Sequence, residues 1–455
     1  RTTSSAASDV YKRQTIKGSY NINGSLINKI DFNYRDTDYS LTEDHAEEEH
    51  DEEEEHDEEE EHEEHSPTVF MNEAVEYGAV FDISNDSSTQ KVVVNFVDED
   101  NSIIGEEAFM NPANSEEFTI GYYLSKELGM FDFDFGFRLD QIERSGSVSE
   151  EEHEDEHGDD HGDEHGDEHG EVDYYNIDDT TSSFAVTLGR SLSDNLDVSL
   201  GYASFERLPS SIELFMNGPH MATGRFEVGD PNLNSETSNN FDVTFNFDNG
   251  DFYAFASFYI TDVDNYIALI DEEEEDHMDE DEHHEDEDEH HEDEDEHDDH
   301  GNLIHANYMQ KDAEFDGYEI EFGRSFDLGS GELALSFGRD VVNAEFADGH
   351  NVPRINPARN IYSLVYTQDD LLFKLMLKDV EKQNDFGEGE TATDSYQMLN
   401  TRLTKTFNAM GNGELKVSLF ANNLLDEVAR NHSSFVKDEV PLPGRNYGLK
   451  FNLTF

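Results

Sequence analysis

The sequence contains no cysteine and no tryptophan in 455 residues. Without cysteine there is no disulfide and no thiolate metal site, so any metal must be held by nitrogen and oxygen ligands. No stretch approaches the ~18 consecutive apolar residues that cross a bilayer as a helix. The amino end, from Arg1, shows neither Met nor an apolar leader. Residues 1–14 are foreign in character to the rest of the chain and are expected to be a non-native or unstructured start of a chain that begins inside a longer protein. Basic residues are scarce, with 28 Lys and Arg against 110 Asp and Glu, for a formal charge of −82. Such a field excludes nucleic acid as a partner. There is no phosphate-cradling Gly loop and no HExxH helix, and carboxylates are too widespread to single out an acid–base pair. No enzyme is expected.

What is present is alternation. Tyr447, Leu449, Phe451, Leu453 and Phe455 share one parity, and Asn446, Gly448, Lys450, Asn452 and Thr454 the other. Period two over ten residues is a strand with one apolar and one polar face. Ile30, Phe32 and Tyr34 follow the same rule, as do Val75, Tyr77, Ala79 and Phe81. In Phe131–Asp140 the apolar parity opposes Asp132, Asp134, Arg138 and Asp140. Charges recurring inside long strands suit a watery lumen, and a strand of about ten tilted residues crosses a bilayer. A soluble sandwich can also alternate, but lipid admits only closed sheets.

The connections decide between the two. Short turns lie near Asn23–Ser25, Asn85–Ser88, Glu127–Gly129, Ser193–Asn195, Asp248–Asp251, Asp327–Gly331, Gln368–Asp370 and Asn408–Gly413. Between them run long segments at 43–67, 101–114, 145–179, 208–235, 269–301, 346–357, 385–394 and 425–443. Short turns on one rim and long loops on the other are the asymmetry of outer-membrane barrels. The expected fold is all-β: an antiparallel transmembrane β-barrel of about 17 strands, with short periplasmic turns and long extracellular loops. A phase slip around Gly317 predicts a bulge there.

Three stretches go beyond pattern: Glu206–Asn240 (ERLPSSIELFMNGPHMATGRFEVGDPNLNSETSNN), Tyr308–Phe322 (YMQKDAEFDGYEIEF) and Asn422–Phe455 (NNLLDEVARNHSSFVKDEVPLPGRNYGLKFNLTF). They resemble the barrel of TonB-dependent outer-membrane receptors, the first and third most closely the zinc-importing branch. The resemblance runs from about residue 15 to 455. It implies an outer-membrane location in a Gram-negative-type bacterium and about 22 strands around a plug. No plug, no TonB box and no first few strands are found here, so the wall is expected to be incomplete, with about 17 of the 22 strands, and the TonB energising complex to act through the missing plug. It also implies that the loop carrying His220, flanked by Glu213 and Glu227, reaches towards the lumen and contributes to a transported-ion site. The bland reading of His220, a cap on the Gly218-Pro219 turn, stays open. His432, in Asn431-His432-Ser433-Ser434, is expected to pack the last loop, and His305 and His350 to stand alone at strand mouths.

Three tracts hold 52 of the 110 acidic residues and no Lys or Arg. They are expected to form disordered loops at 43–66, 146–172 and 271–301. The first carries His45, His50, His56, His62 and His65. The second places His153, His157, His161, His165 and His169 at every fourth position. The third carries His277, His283, His284, His290, His291, His297 and His300. Imidazole suits Zn(2+), copper and nickel, whereas carboxylates alone would favour calcium or magnesium. Gly158, Gly162, Gly166 and Gly170 oppose a helix, so many exchangeable sites are expected in place of one rigid centre. The resulting expectation is a zinc or other divalent transition-metal receptor whose loops capture metal at the surface. A passive cation-selective porin, and a surface barrel that only buffers metal or bridges lipid phosphates, are the alternatives.

Overall fold

The computed structural model describes residues 5–22, 24, 26–45, 67–105, 108–149, 172–272, 303–408 and 413–455. The wall begins with β1 (Ser5–Asn21), β2 (Lys29–His45), β3 (Thr68–Asp82) and β4 (Thr89–Ile104). It continues through β5 (Ala113–Leu128), β6 (Phe131–Ser149), β7 (Val172–Ser193) and β8 (Leu196–Arg207). The next connection holds a short helix, α1 (Ser211–Phe215), and two four-residue strands, β9 (Asn217–His220) and β10 (Arg225–Val228). The wall resumes with β11 (Glu236–Asp248), β12 (Phe252–Asp271), β13 (Ile304–Asp327), β14 (Glu332–Phe346) and β15 (Arg359–Gln368). It ends with β16 (Leu371–Val380), β17 (Tyr396–Asn408), β18 (Glu414–Asn422) and β19 (Asn446–Thr454).

Each wall strand pairs antiparallel with its neighbour in the chain, and β8 pairs across the loop with β11. Every short connection therefore lies on one rim and every long one on the other. Among the described residues β1 pairs only with β2 and β19 only with β18, so the wall is open between them. No helix of the described residues is long and apolar enough to cross a membrane; the strands do the crossing.

Register sorts the side chains as period two requires. Phe118 pairs with Phe96, and Ile120 with Val94 and Leu139, on the outward face. There Phe118 is 40 % and Ile120 47 % exposed, an apolar band for lipid near the hairpin rim. On the inward face Ser115 pairs with Arg144, whose guanidinium donates to Ser115 Oγ and to Glu117. Above the band the strands continue towards the loop rim. β13 has 24 residues where about ten suffice to span.

Four expectations change. The tally of seventeen holds for the wall, but β9 and β10 bring the total to nineteen; four residues are too short to show a period. The start at 1–14 is not unstructured from Ser5 onward, because Ser5–Gln14 continue β1 in unbroken register with Asp36–His45. Polar residues on both parities, such as Lys12 bridged to Asp38 at 2.8 Å, hid that strand. Gly317 carries no bulge: it pairs regularly with Tyr259 and Val342. The irregularity lies on β12, where Asp264 and Asn265 together oppose Asp312. Asn265 takes φ +55° and donates its N–H to Asp312 Oδ1 at 2.9 Å. Gly317 instead leaves room for the Tyr259 ring, which a Cβ would strike. Strand also extends into the expected loop at 146–172, as far as Ser149 in β6.

Candidate functional site

The loop 208–235 seats itself on the inner face of the wall. Ser210 caps α1 by accepting from Glu213 N, while Glu213 accepts from Ser210 N at 2.7 Å, a reciprocal capping box. The helix directs Leu214, Phe215 and Met216 downward, and all three are at most 2 % exposed. Phe215 lies over Gly146, on the same parity as Arg144, where any Cβ would overlap its ring. Phe109, Met110, Leu233 and Ile267 complete this core.

Past the helix the chain forms the β9–β10 hairpin. Its turn closes with Thr223 N and Gly224 N donating to His220 O, at 2.9 and 3.1 Å, and Gly224 adopts φ +67°. Register places His220 opposite Arg225, one step from Glu227 on the same face. His220 Nδ1 meets Glu227 Oε1 at 2.9 Å, and Thr223 Oγ1 donates to the same oxygen at 2.6 Å. The Glu227 side chain is 3 % exposed and that of His220 30 %. His220 stacks on Phe109 at 4.7 Å. A carboxylate on Nδ1 favours the tautomer with Nδ1–H, which leaves the Nε2 lone pair free to bind an ion.

Glu213 does not join this pair. Arg207 holds it through two bonds, at 2.8 and 3.1 Å, and reaches Glu236 as well. Among the described residues no three His, Asp or Glu side chains converge on a common point. The hairpin alone offers an imidazole and a carboxylate, and further ligands for an ion must come from water, the solute or another segment. His305 stacks on Phe226 at 5.1 Å and follows the opposite parity to Glu227. His350 sits at the exposed start of the loop 347–358, beside Asp348 at 3.0 Å. His45 ends β2, and the other histidines of the three tracts lie outside the described residues.

Sequence reading missed a second cluster, because its partners are far apart in the chain. β14 joins β13 only from Ala313 onward, and β10 adds in parallel to the vacant edge, Arg225 against Ile304 through Val228 against Asn307. Arg225 then clamps Asp271 with two bonds, at 2.7 and 2.6 Å. Its guanidinium lies 4.7 Å from the centre of the Phe435 ring, and that of Arg354 lies 4.3 Å away. Arg354 has φ +63°, and its N–H donates to Glu390 Oε2 at 2.9 Å. Glu390 also accepts from Gly387 N at 3.0 Å and Lys437 Nζ at 3.2 Å. Burial opposes its charge, but His432, these amides and Lys437 outweigh it and hold the Glu390 carboxyl at about 2. His432 is 1 % exposed, with Nδ1 on Thr393 Oγ1 at 3.0 Å.

A wall of meander strands with an apolar outer band, a polar inner face and loops folded over one rim defines an outer-membrane β-barrel of the receptor type. The chain belongs to the family described as TonB dependent receptor-like, beta-barrel, whose model matches residues 2–424. It is thus a protein of the Gram-negative outer membrane, in a family of receptor-like barrels. The chain is similar in fold to the "Copper transporter OprC", with a TM-score of 0.71 at 14 % identity over 98 % of this chain. It is also similar to "The FrpB iron transporter from Neisseria meningitidis (F3-3 variant)", with TM-score 0.62, 12 % identity and 96 % of this chain covered. The ferric yersiniabactin uptake receptor FyuA from Yersinia pestis gives 0.57 at 12 % identity over 94 %. This chain spans 66 %, 62 % and 58 % of those chains, respectively. At these identities the likeness is one of fold.

Proposed function

We propose that this barrel takes up zinc or another divalent transition ion. In this reading the three acidic, histidine-rich tracts concentrate the ion at the mouth and the β9–β10 hairpin lies on its path. The observation that carries the reading is the His220–Glu227 pair, an imidazole on a buried carboxylate with one ring nitrogen free. Its donor set suits zinc, with remaining ligands completed by water or by a facing segment. The tracts emerge from the loop rim, between β2 and β3, β6 and β7, and β12 and β13. Their negative field raises the local cation concentration, and their imidazoles favour transition metals over calcium. Protons compete for those imidazoles, so capture weakens in mild acid. Energy reaches the barrel from the TonB complex through a plug.

Radiolabelled zinc uptake by cells that carry this barrel joined to a plug, with and without a proton-motive force, tests this reading. Uptake should require the force, His220→Ala should lower it at saturating zinc, and removal of residues 273–300 should raise the concentration for half-maximal uptake. Uptake indifferent to the force would make the wall a passive cation-selective pore. No zinc uptake at all would reduce the protein to a metal-buffering surface barrel.

A further inference from the structure

We infer that Phe435, in the last loop, is a positioning residue for the β9–β10 hairpin. The inference rests on the proposed ion role of His220 and Glu227 only for its consequence in uptake, not for its geometry.

Arg225 is the residue of β10 that faces His220 across the hairpin. Its guanidinium is 8 % exposed as a side chain and forms a two-bond clamp with Asp271, at 5 %. The same guanidinium lies over the Phe435 ring, and its Nη1 donates to Phe435 O at 3.4 Å. Phe435 is 210 residues away in sequence, in the connection between β18 and β19. A second guanidinium, that of Arg354, lies over the same ring and donates to Leu269 O, two residues before Asp271.

Two cations sharing one ring, Arg225 buried and Arg354 half-buried, repel each other unless anions and a polarisable face compensate. Asp271 and Glu390 are the anions that face them, and Lys437 and His432 are the further titratable groups around Glu390. The ring face supplies the rest, because a cation–π contact is stronger when it is desolvated. Arg354 holds a left-handed backbone to reach this point, a conformation that a non-glycine residue adopts only when its surroundings fix it. The loops 208–235, 347–358 and 423–445 therefore meet on one aromatic ring at the end of β12. The ring sets where Arg225 lies, and with it the strand that carries Glu227.

Hydrogen–deuterium exchange on the full chain in micelles, followed at the amides of residues 217–228, tests the inference. Free zinc is set by a chelator buffer, so that protection of this peptide reports ion binding at the hairpin whatever the tracts take up. Phe435→Ala should speed exchange at 217–228 and shift zinc protection about tenfold to higher free zinc. Phe435→Leu, which keeps bulk but not the ring, should behave like Phe435→Ala. Phe435→Trp should restore both readouts. A wild-type response from Phe435→Leu, or unchanged exchange in Phe435→Ala, overturns the inference. If His220→Ala leaves zinc protection untouched, the ion reading fails, and exchange without zinc still decides whether Phe435 holds the hairpin.

Discussion

Lys437 Nζ and Glu390 Oε1 meet at 3.2 Å with both side chains 6 % exposed, joining two loops that are 47 residues apart in sequence. A buried pair of this kind is costly to form and costlier to break, since removing one charge leaves the other stranded.

Glu390→Gln should therefore destabilise the loop assembly by about 3–5 kcal/mol at pH 7. The Glu390 carboxyl is held at about 2, below its ordinary 4.5, so its charged form stabilises the fold. That contribution is complete above pH 4.5 and is lost as pH falls towards 2. The difference in urea midpoint between the native chain and Glu390→Gln should be full at pH 7 and shrink below pH 4.5. A difference constant across that window would assign the effect to shape instead of charge.

The seat of the loop on the wall is a separate matter. Phe215 is 0 % exposed against Gly146. Phe215→Ala should cost about 3–5 kcal/mol in local stability. Gly146→Ala should displace the helix from the other side. Both should admit protease into residues 208–235 while the barrel keeps its heat-modifiable gel mobility.

Glu227→Gln retains an acceptor for Thr223 but gives His220 a neutral neighbour. Loss of the carboxylate behind a ligating imidazole costs about 10-fold or more in metal affinity. Zinc uptake at limiting zinc should fall by that order, with the amount of barrel in the membrane unchanged on immunoblots.

The bulge offers a control unrelated to ions. Asn265 holds φ +55°, which glycine tolerates and a β-branched residue does not. Asn265→Gly should lie within about 1 kcal/mol of the native chain, and Asn265→Val should cost about 1–3 kcal/mol. Urea unfolding in micelles measures both.

Much of this architecture is legible before folding. Phe137 and Leu139 announce their face by parity alone, and the eight short turns lie where the strands reverse. The capping box at Ser210 and Glu213 is local too, but period-two alternation does not reveal it. Glu213 shows the limit: by spacing it is as good a ligand as Glu227, yet Arg207 and the helix cap occupy it. The slip expected at Gly317 belongs to β12, because a register shift is a property of a pair and one strand alone does not reveal which member carries it.

The sequence by itself determined the wall: alternation assigns each side chain to lipid or lumen, and antiparallel neighbours need only a turn between them. Tertiary structure alone decided which loops share the upper rim. Arg225 finds Asp271 and Phe435 because β10 docks on the β13 edge that β14 leaves vacant. No periodicity encodes that meeting. Charge pairs and ring contacts carry no register, and only the folding of distant loops over one rim brings their partners within reach.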